Sequence, residues 1–268
     1  MTGAWAQPPP PPSLLAMVVP EVRLTHLNRA DGSATYSHHG FSILGAVNGP
    51  MEVLRRDEMP EEATIEVHVR PAAGVGSPRE RHLETLVHNT LRSIVLTRML
   101  PRTLVQVTLQ VRSVPHDDDA CGINSTLTVL PHLLHTALLS LLSASIPLST
   151  TLTCVLVALP ASATPLLSPT ANELHRAKPI QSAHVFAFSG HGRMLLNESD
   201  GSFAVEDWEQ ACDMAQDVCC KEEADGGVRL SGHMDVDGVP NASDNLDNWL
   251  RDVVRRKVQW EQRWKHGT

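Results

Sequence analysis

Aromatic residues are scarce, at 4% of 268 residues, so any core has to be built from Leu, Val and Ala. Charge is modest too. With 19% charged and 42% hydrophobic residues, the chain can bury a sizeable core, which excludes disorder throughout. No apolar run approaches the roughly 18–20 residues of a membrane span, and no membrane is expected. Lysine is rare, 4 residues against 18 arginines. Arginine favours bidentate phosphate or carboxylate contacts and interfaces, although a GC-rich codon bias gives the same ratio. The net charge of -8 excludes a chain that holds nucleic acid by bulk electrostatics alone. The five cysteines (Cys121, Cys154, Cys212, Cys219 and Cys220) have no framework spacing and read as reduced thiols of an intracellular protein. A basic n-region is missing at the N-terminus, and the apolar stretch 14–19 is short for a signal segment, so secretion is not expected.

What is present divides the chain in four. Residues 1–20 hold a run of prolines at 8–12 and read as a disordered Pro-rich tail. A folded body spans 21–221, an acidic mobile linker 222–245, and an amphipathic basic helix 246–268. Within the body, 33–47 reads as extended segments around His39-Gly40. Ile65, Val67 and Val69 alternate as in a half-buried strand. Ser77-Pro78 with Glu80 resembles a helix start, Leu83 to Val95 recur on one helical face, and Pro101 is expected to stop that helix. Val105, Val107, Leu109 and Val111 alternate as a strand with one wet face. Leu130 to Leu142 form a wide apolar stripe on a second helix, and 152–159 reads as a buried strand. Strand, helix and strand in this order predict a split or crossover βαβ unit. A hairpin is expected at 183–196, with Asp200-Gly201 as a turn signal before Phe203. Trp208, Ala211, Cys212, Ala215, Val218 and Cys219 line a third helix. The terminal helix, with Trp249, Leu250 and Val253 on one face and Arg251, Arg255, Arg256 and Lys257 beside them, reads as seeking a partner surface or, equally, as packing back on its own body. The fold class is therefore α/β (α+β), with helices packed on mixed sheets.

Few constellations could carry chemistry. No P-loop, G-x-G-x-x-G or G-x-S-x-G occurs. His132-x-x-His135 has ligand spacing but no Cys or carboxylate partner nearby, and His38-His39 in a strand would point to opposite faces, so no metal is expected. Asp117, Asp118 and Asp119 form one acidic loop that could hold Mg²⁺, although it reads more simply as a solvated turn. No cofactor is expected.

The order of several short motifs resembles the ribonuclease PH family, and within it the ring subunits of the eukaryotic RNA exosome of the fungal rRNA-processing type. They are Arg29-x-Asp31-Gly32-Ser33-Ala34, Gly49-Pro50-Met51-Glu52, Glu80-Arg81-x-x-Glu84, Pro101-Arg102-Thr103, Ile146-Pro147 and Ser168-Pro169-Thr170-x-x-Glu173. The resemblance implies a ribosomal protein S5 domain 2-like fold with split βαβ units over about 21–221. It implies 3′-end phosphorolysis in active members, which need a Gly-Thr-Arg phosphate cradle before the second helix and a later Asp pair. An anionic nucleophile approaching an anionic diester requires such cations and amides. This sequence has Ile123 near the expected Arg, and Ser168 and Ser182 near the expected Asp pair. The resemblance thus implies a non-catalytic ring subunit. Its partners would be other ribonuclease PH-like subunits, S1/KH-type cap subunits and single-stranded RNA, in nucleus, nucleolus and cytoplasm. Arg70, Arg79 and Arg81, flanking the Gly/Pro loop, are the expected phosphate contacts. Two rival expectations are a divergent metal-dependent nuclease using Asp117, Asp118 and Asp119, and a stand-alone interaction scaffold.

Overall fold

Alternating apolar residues build the first of two sheets. The computed structural model describes residues 20–53, 55, 58–115, 123–161, 164–220 and 246–265. Asp117, Asp118 and Asp119, most of the Pro-rich tail and the acidic linker lie outside them. Strands β1 (Glu21–Leu24), β2 (Gly32–His38) and β3 (Phe41–Glu52) run antiparallel. β4 (Thr64–Arg70) pairs parallel with β5 (Thr103–Ser113), and the helix α1 (Pro78–Ile94) makes the return between them. The strand order is β1-β2-β3-β5-β4.

The crossover unit is therefore β4-α1-β5, and the expected one through the second helix does not form. After α2 (Ser125–Ser143), strand β6 (Leu152–Pro160) enters a second, antiparallel sheet with β7 (Leu166–Leu167), β8 (Ile180–Ser189) and β9 (Met194–Gly201), in the order β7-β6-β8-β9. Periodicity identifies a strand but not its neighbour, and the long return across α2 suits a change of sheet as well as a parallel pairing. Asp200-Gly201 lies inside β9. The hairpin turns instead at 190–193, where Gly192 takes φ +76.

α2 lies between the two sheets and is buried on every side, not along one stripe. By length and composition alone it could cross a membrane, at a mean hydropathy of 1.4, yet 89% of that window is buried in the protein. α1 ends at Ile94, before Pro101. Val95 leaves the helix to bridge Leu148, and the amide of Ser149 caps the Ile94 carbonyl at 2.7 Å. The short α3 (Ala171–Arg176) starts in a capping box of Thr170 and Glu173, so the Ser168–Glu173 motif is a helix entry. α4 (Val205–Cys219) lays Ala211, Ala215 and Cys219 on Val155, Val157, Phe186 and Phe188.

Of the two expectations for the terminal helix α5 (Leu246–Glu261), its first turns meet the second and pack back on the body. Trp249 and Leu250 join the main core, the Trp249 ring standing edge-on to Tyr36 at 6.2 Å, and Thr151 donates to the Asp247 carboxylate at 2.8 Å. The Asp31-Gly32-Ser33 motif is also structural. The Asp31 carboxylate accepts the Gly49 amide at 2.8 Å, and the Ser33 hydroxyl accepts the amides of His26 and Leu27.

Candidate nucleic-acid interface

Arg70 closes β4, and Arg79 and Arg81 stand in the first turn of α1, so a single loop, 71–77, joins all three; each is exposed. The loop is open. Val75 is 94% exposed, Gly74 takes φ +82, and no atom lies near where a Cβ at Gly74 or Gly76 would project. Its two ends are pinned. The Gln110 amide donates to the Pro71 carbonyl at 2.9 Å, and the Ser77 hydroxyl caps α1 while Glu80 reaches back to the Ser77 amide at 2.7 Å.

The arginines' obvious intrahelical partners are engaged elsewhere. Glu84 accepts the Val69 amide at 2.9 Å. Partial burial raises the Glu80 pKa, but hydrogen bonds from Ser77 and the nearby Arg79 charge outweigh it and hold the carboxyl below its ordinary value. Among the described residues Arg70, Arg79 and Arg81 enter no ion pair. Two guanidinium groups beside a helix N-terminus, itself partly positive, concentrate potential that suits phosphate oxygens. Replacing Ser77 by Ala should cost about 1 kcal/mol in urea unfolding, because an orphan amide of the first turn loses its acceptor.

The second region of interest lies at the start of α2. Asn124 caps that helix by accepting the Thr126 amide at 3.0 Å, and Ile123 packs on the core as an aliphatic side chain. Ser168 follows β7 and Ser182 sits on β8, so the two flank β6. Ser182 is buried. Its hydroxyl contacts His184 Nε2 at 3.0 Å, and His184 Nδ1 contacts Ser199 at 2.8 Å. Ser168 lines a cavity of about 30 Å³ with His38, His39, Phe41, Thr128 and His132, room for water and not for a nucleotide.

Sequence reasoning misplaced His38 and His39. They do not point to opposite faces. His39 leaves the strand at φ 50, and the two ring centroids stand 3.6 Å apart, with His132 at 5.7 Å from His38. Positive φ in a non-glycine turn residue leaves no periodic signal to read. No group of three or more potential metal ligands occurs among the described residues. His135 serves the fold instead: its Nε2 accepts the Cys154 amide at 3.0 Å.

Residues 20–161 match the family described as 3′ exoribonuclease family, domain 1. The chain belongs to the ribonuclease PH family. It is 27% identical over 200 residues to the exosome complex component RRP46 of Saccharomyces cerevisiae, covering 72% of this chain and 86% of that relative. A rice relative, an exosome complex exonuclease RRP46 homolog, is 36% identical over 104 residues, covering 39% of this chain and 44% of its own. The crystal structure of rice Rrp46 superposes with a TM-score of 0.61 at 25% identity, over 72% of this chain and 86% of that one. The Archaeoglobus fulgidus exosome with RNA bound to the active site shares the fold, with a TM-score of 0.58 at 14% identity over 74% and 84% of the two chains. In this ribonuclease PH chain the matched stretch contains the arginine loop, α1 and α2, whereas Ser168 and Ser182 lie beyond it.

Proposed function

We propose that this chain is a non-catalytic ring subunit of the RNA exosome that shapes a pore for single-stranded RNA and leaves cleavage to other subunits. The reading rests on Ser168 and Ser182 lying near the positions where the family resemblance expects its acidic pair. Ser182 is taken up in the Ser182-His184-Ser199 network, in a chain akin to an exosome component over 86% of that relative's length. Neither hydroxyl can hold a metal or shuttle a proton as a carboxylate does. Its partners are other ribonuclease PH-like subunits and S1/KH-type cap subunits, in nucleus, nucleolus and cytoplasm. The body 21–221 makes the ring contacts, and the Pro-rich tail, acidic linker and terminal helix are additions to it.

Arg70, Arg79 and Arg81 take phosphates without reading bases, which positions the strand and specifies no sequence. Charge reversal at Arg79 should weaken RNA binding by the assembled ring several-fold and lower the slope of affinity against salt by about 0.7 for each phosphate left without its cation. Ring assembly should be unchanged; its loss would sink the assignment of these arginines to RNA. The wider reading is tested by phosphorolysis and Mg²⁺-dependent hydrolysis of labelled RNA, with the chain alone and with its copurifying proteins. No activity alone, with ring subunits recovered, is the expected result. Activity of the isolated chain that disappears when Asp117, Asp118 and Asp119 are changed to Asn would replace it with a metal-dependent nuclease.

A further inference from the structure

The C-terminal end of α5 and the turn after it carry chemistry that a ring role leaves unused. Trp249 and Leu250 are buried, but Trp260, three turns further along the face of Trp249, and Trp264 are 59% and 73% exposed, in a chain with only 5 tryptophans. Cations accompany both rings. Lys257 Nζ lies 5.3 Å and the Arg263 guanidinium 4.7 Å from the centroid of Trp260, and Lys265 Nζ lies 5.4 Å from that of Trp264. Arg251, Arg256 and Lys257 are engaged by Asp247, Asp252 and Glu261. Among the described residues Arg255, Arg263 and Lys265 enter no ion pair. A groove of about 350 Å³ between β1 and α5 has Val22, Leu24, Trp249, Val253 and Trp260 in its lining.

Exposed indoles interleaved with cations that have no carboxylate partner among the described residues meet the two needs of a single-stranded nucleic acid. Every base offers a face to stack on an indole, and the cations take the phosphates between bases. An apolar protein surface would cover the rings but strip water from Arg263 and Lys265 with no carboxylate to receive them, which is costly. We infer that the C-terminal end of α5 and the turn after it, with Trp260, Trp264, Arg263 and Lys265, bind single-stranded RNA at a site separate from the arginine loop. This rests on the proposed function only in taking RNA to be what the subunit handles.

The test uses the purified full chain and a 5′-labelled 20-nucleotide oligouridylate, read by anisotropy and by quenching of tryptophan fluorescence. Trp264→Ala should weaken binding roughly tenfold, the loss of one stacked base. Arg263→Ala combined with Lys265→Ala should do the same and lower the salt slope by about one; Arg263→Lys with Lys265→Arg should restore most of it. Because Trp264 is mostly exposed, thermal unfolding of these variants should match the parent. Arg79→Glu separates the two sites. If it has no effect while Trp264→Ala does, the loop assignment fails and this one stands. Unchanged RNA affinity in both α5 variants overturns the inference, and so does loss of a copurifying ring protein in those variants with RNA affinity intact, which would make the face a protein-docking surface.

Discussion

Gly32→Ala is expected to destabilise the chain by about 3 kcal/mol, read as a lower urea midpoint at an unchanged slope. A Cβ at Gly32 would press within 3.0 Å of the Ala144 backbone nitrogen and the Ser140 carbonyl oxygen, at the C-terminal end of α2. Side chains can rotate away from an added methyl group, but helix backbone cannot, so the strand or the helix has to shift. That shift would also strain the neighbouring Ser33 amide, which donates to the Ser143 hydroxyl at 3.3 Å. Gly76→Ala is the control. On the open loop nothing lies within 4 Å of the place its methyl group would take, so a neutral or slightly stabilising effect is expected there. Equal effects at the two glycines would show that close packing of β2 on α2 is not what the motif glycine secures.

Acid should be the other strong lever. Burial lowers the His135 imidazole from an ordinary 6.5 to about 4. Above pH 6.5 the ring is neutral in folded and unfolded chains alike, and stability is full. As pH falls from 6.5 towards 4, only the unfolded chain takes up the proton, so stability is lost throughout that window by about 3 kcal/mol in all. His132 adds to the loss, held well below its ordinary value by burial and by His38, His135 and His39. His184, lowered by burial against the opposing pull of Asp207, acts in the same direction. Urea unfolding at several pH values measures the sum, and His135→Gln, whose carbonyl can still accept the Cys154 amide, should remove the His135 share. An unaltered pH dependence in that variant would mean that the imidazole is not the group responsible.

Much of the architecture can be read from alternation and caps. The β2-β3 hairpin, β4, the capped start of α1 and β5 stand where the pattern places them. α2 shows where pattern reading stops. Thr136, Ser140, His132 and His135 look like a wet face, yet all are buried. The Thr136 and Ser140 hydroxyls each donate to a carbonyl one turn back, both at 2.7 Å, and His135 Nε2 is answered by β6, while the Nδ1 atoms of His132 and His135 are buried without a hydrogen-bond partner among the described residues. A one-dimensional pattern cannot see that, nor can it assign β6 to a sheet. The arginine loop was legible through resemblance and composition. That Arg79 and Arg81 are uncommitted was not, because it depends on Glu80 turning to Ser77 and Glu84 to Val69.

The enclosure of α2 also bears on how the chain is made. One side of this helix rests on β2 and β3, which precede it, but the other rests on β6 and β8, and β8 ends only at Ser189. During synthesis a very apolar helix therefore emerges with half its cover still untranslated, a stage at which a chaperone has something to hold. A fragment cut at residue 161, where the family match ends, keeps β6 but loses β8 and α4. Such a fragment should be aggregation-prone: the unit recognisable by descent is smaller than the unit able to fold.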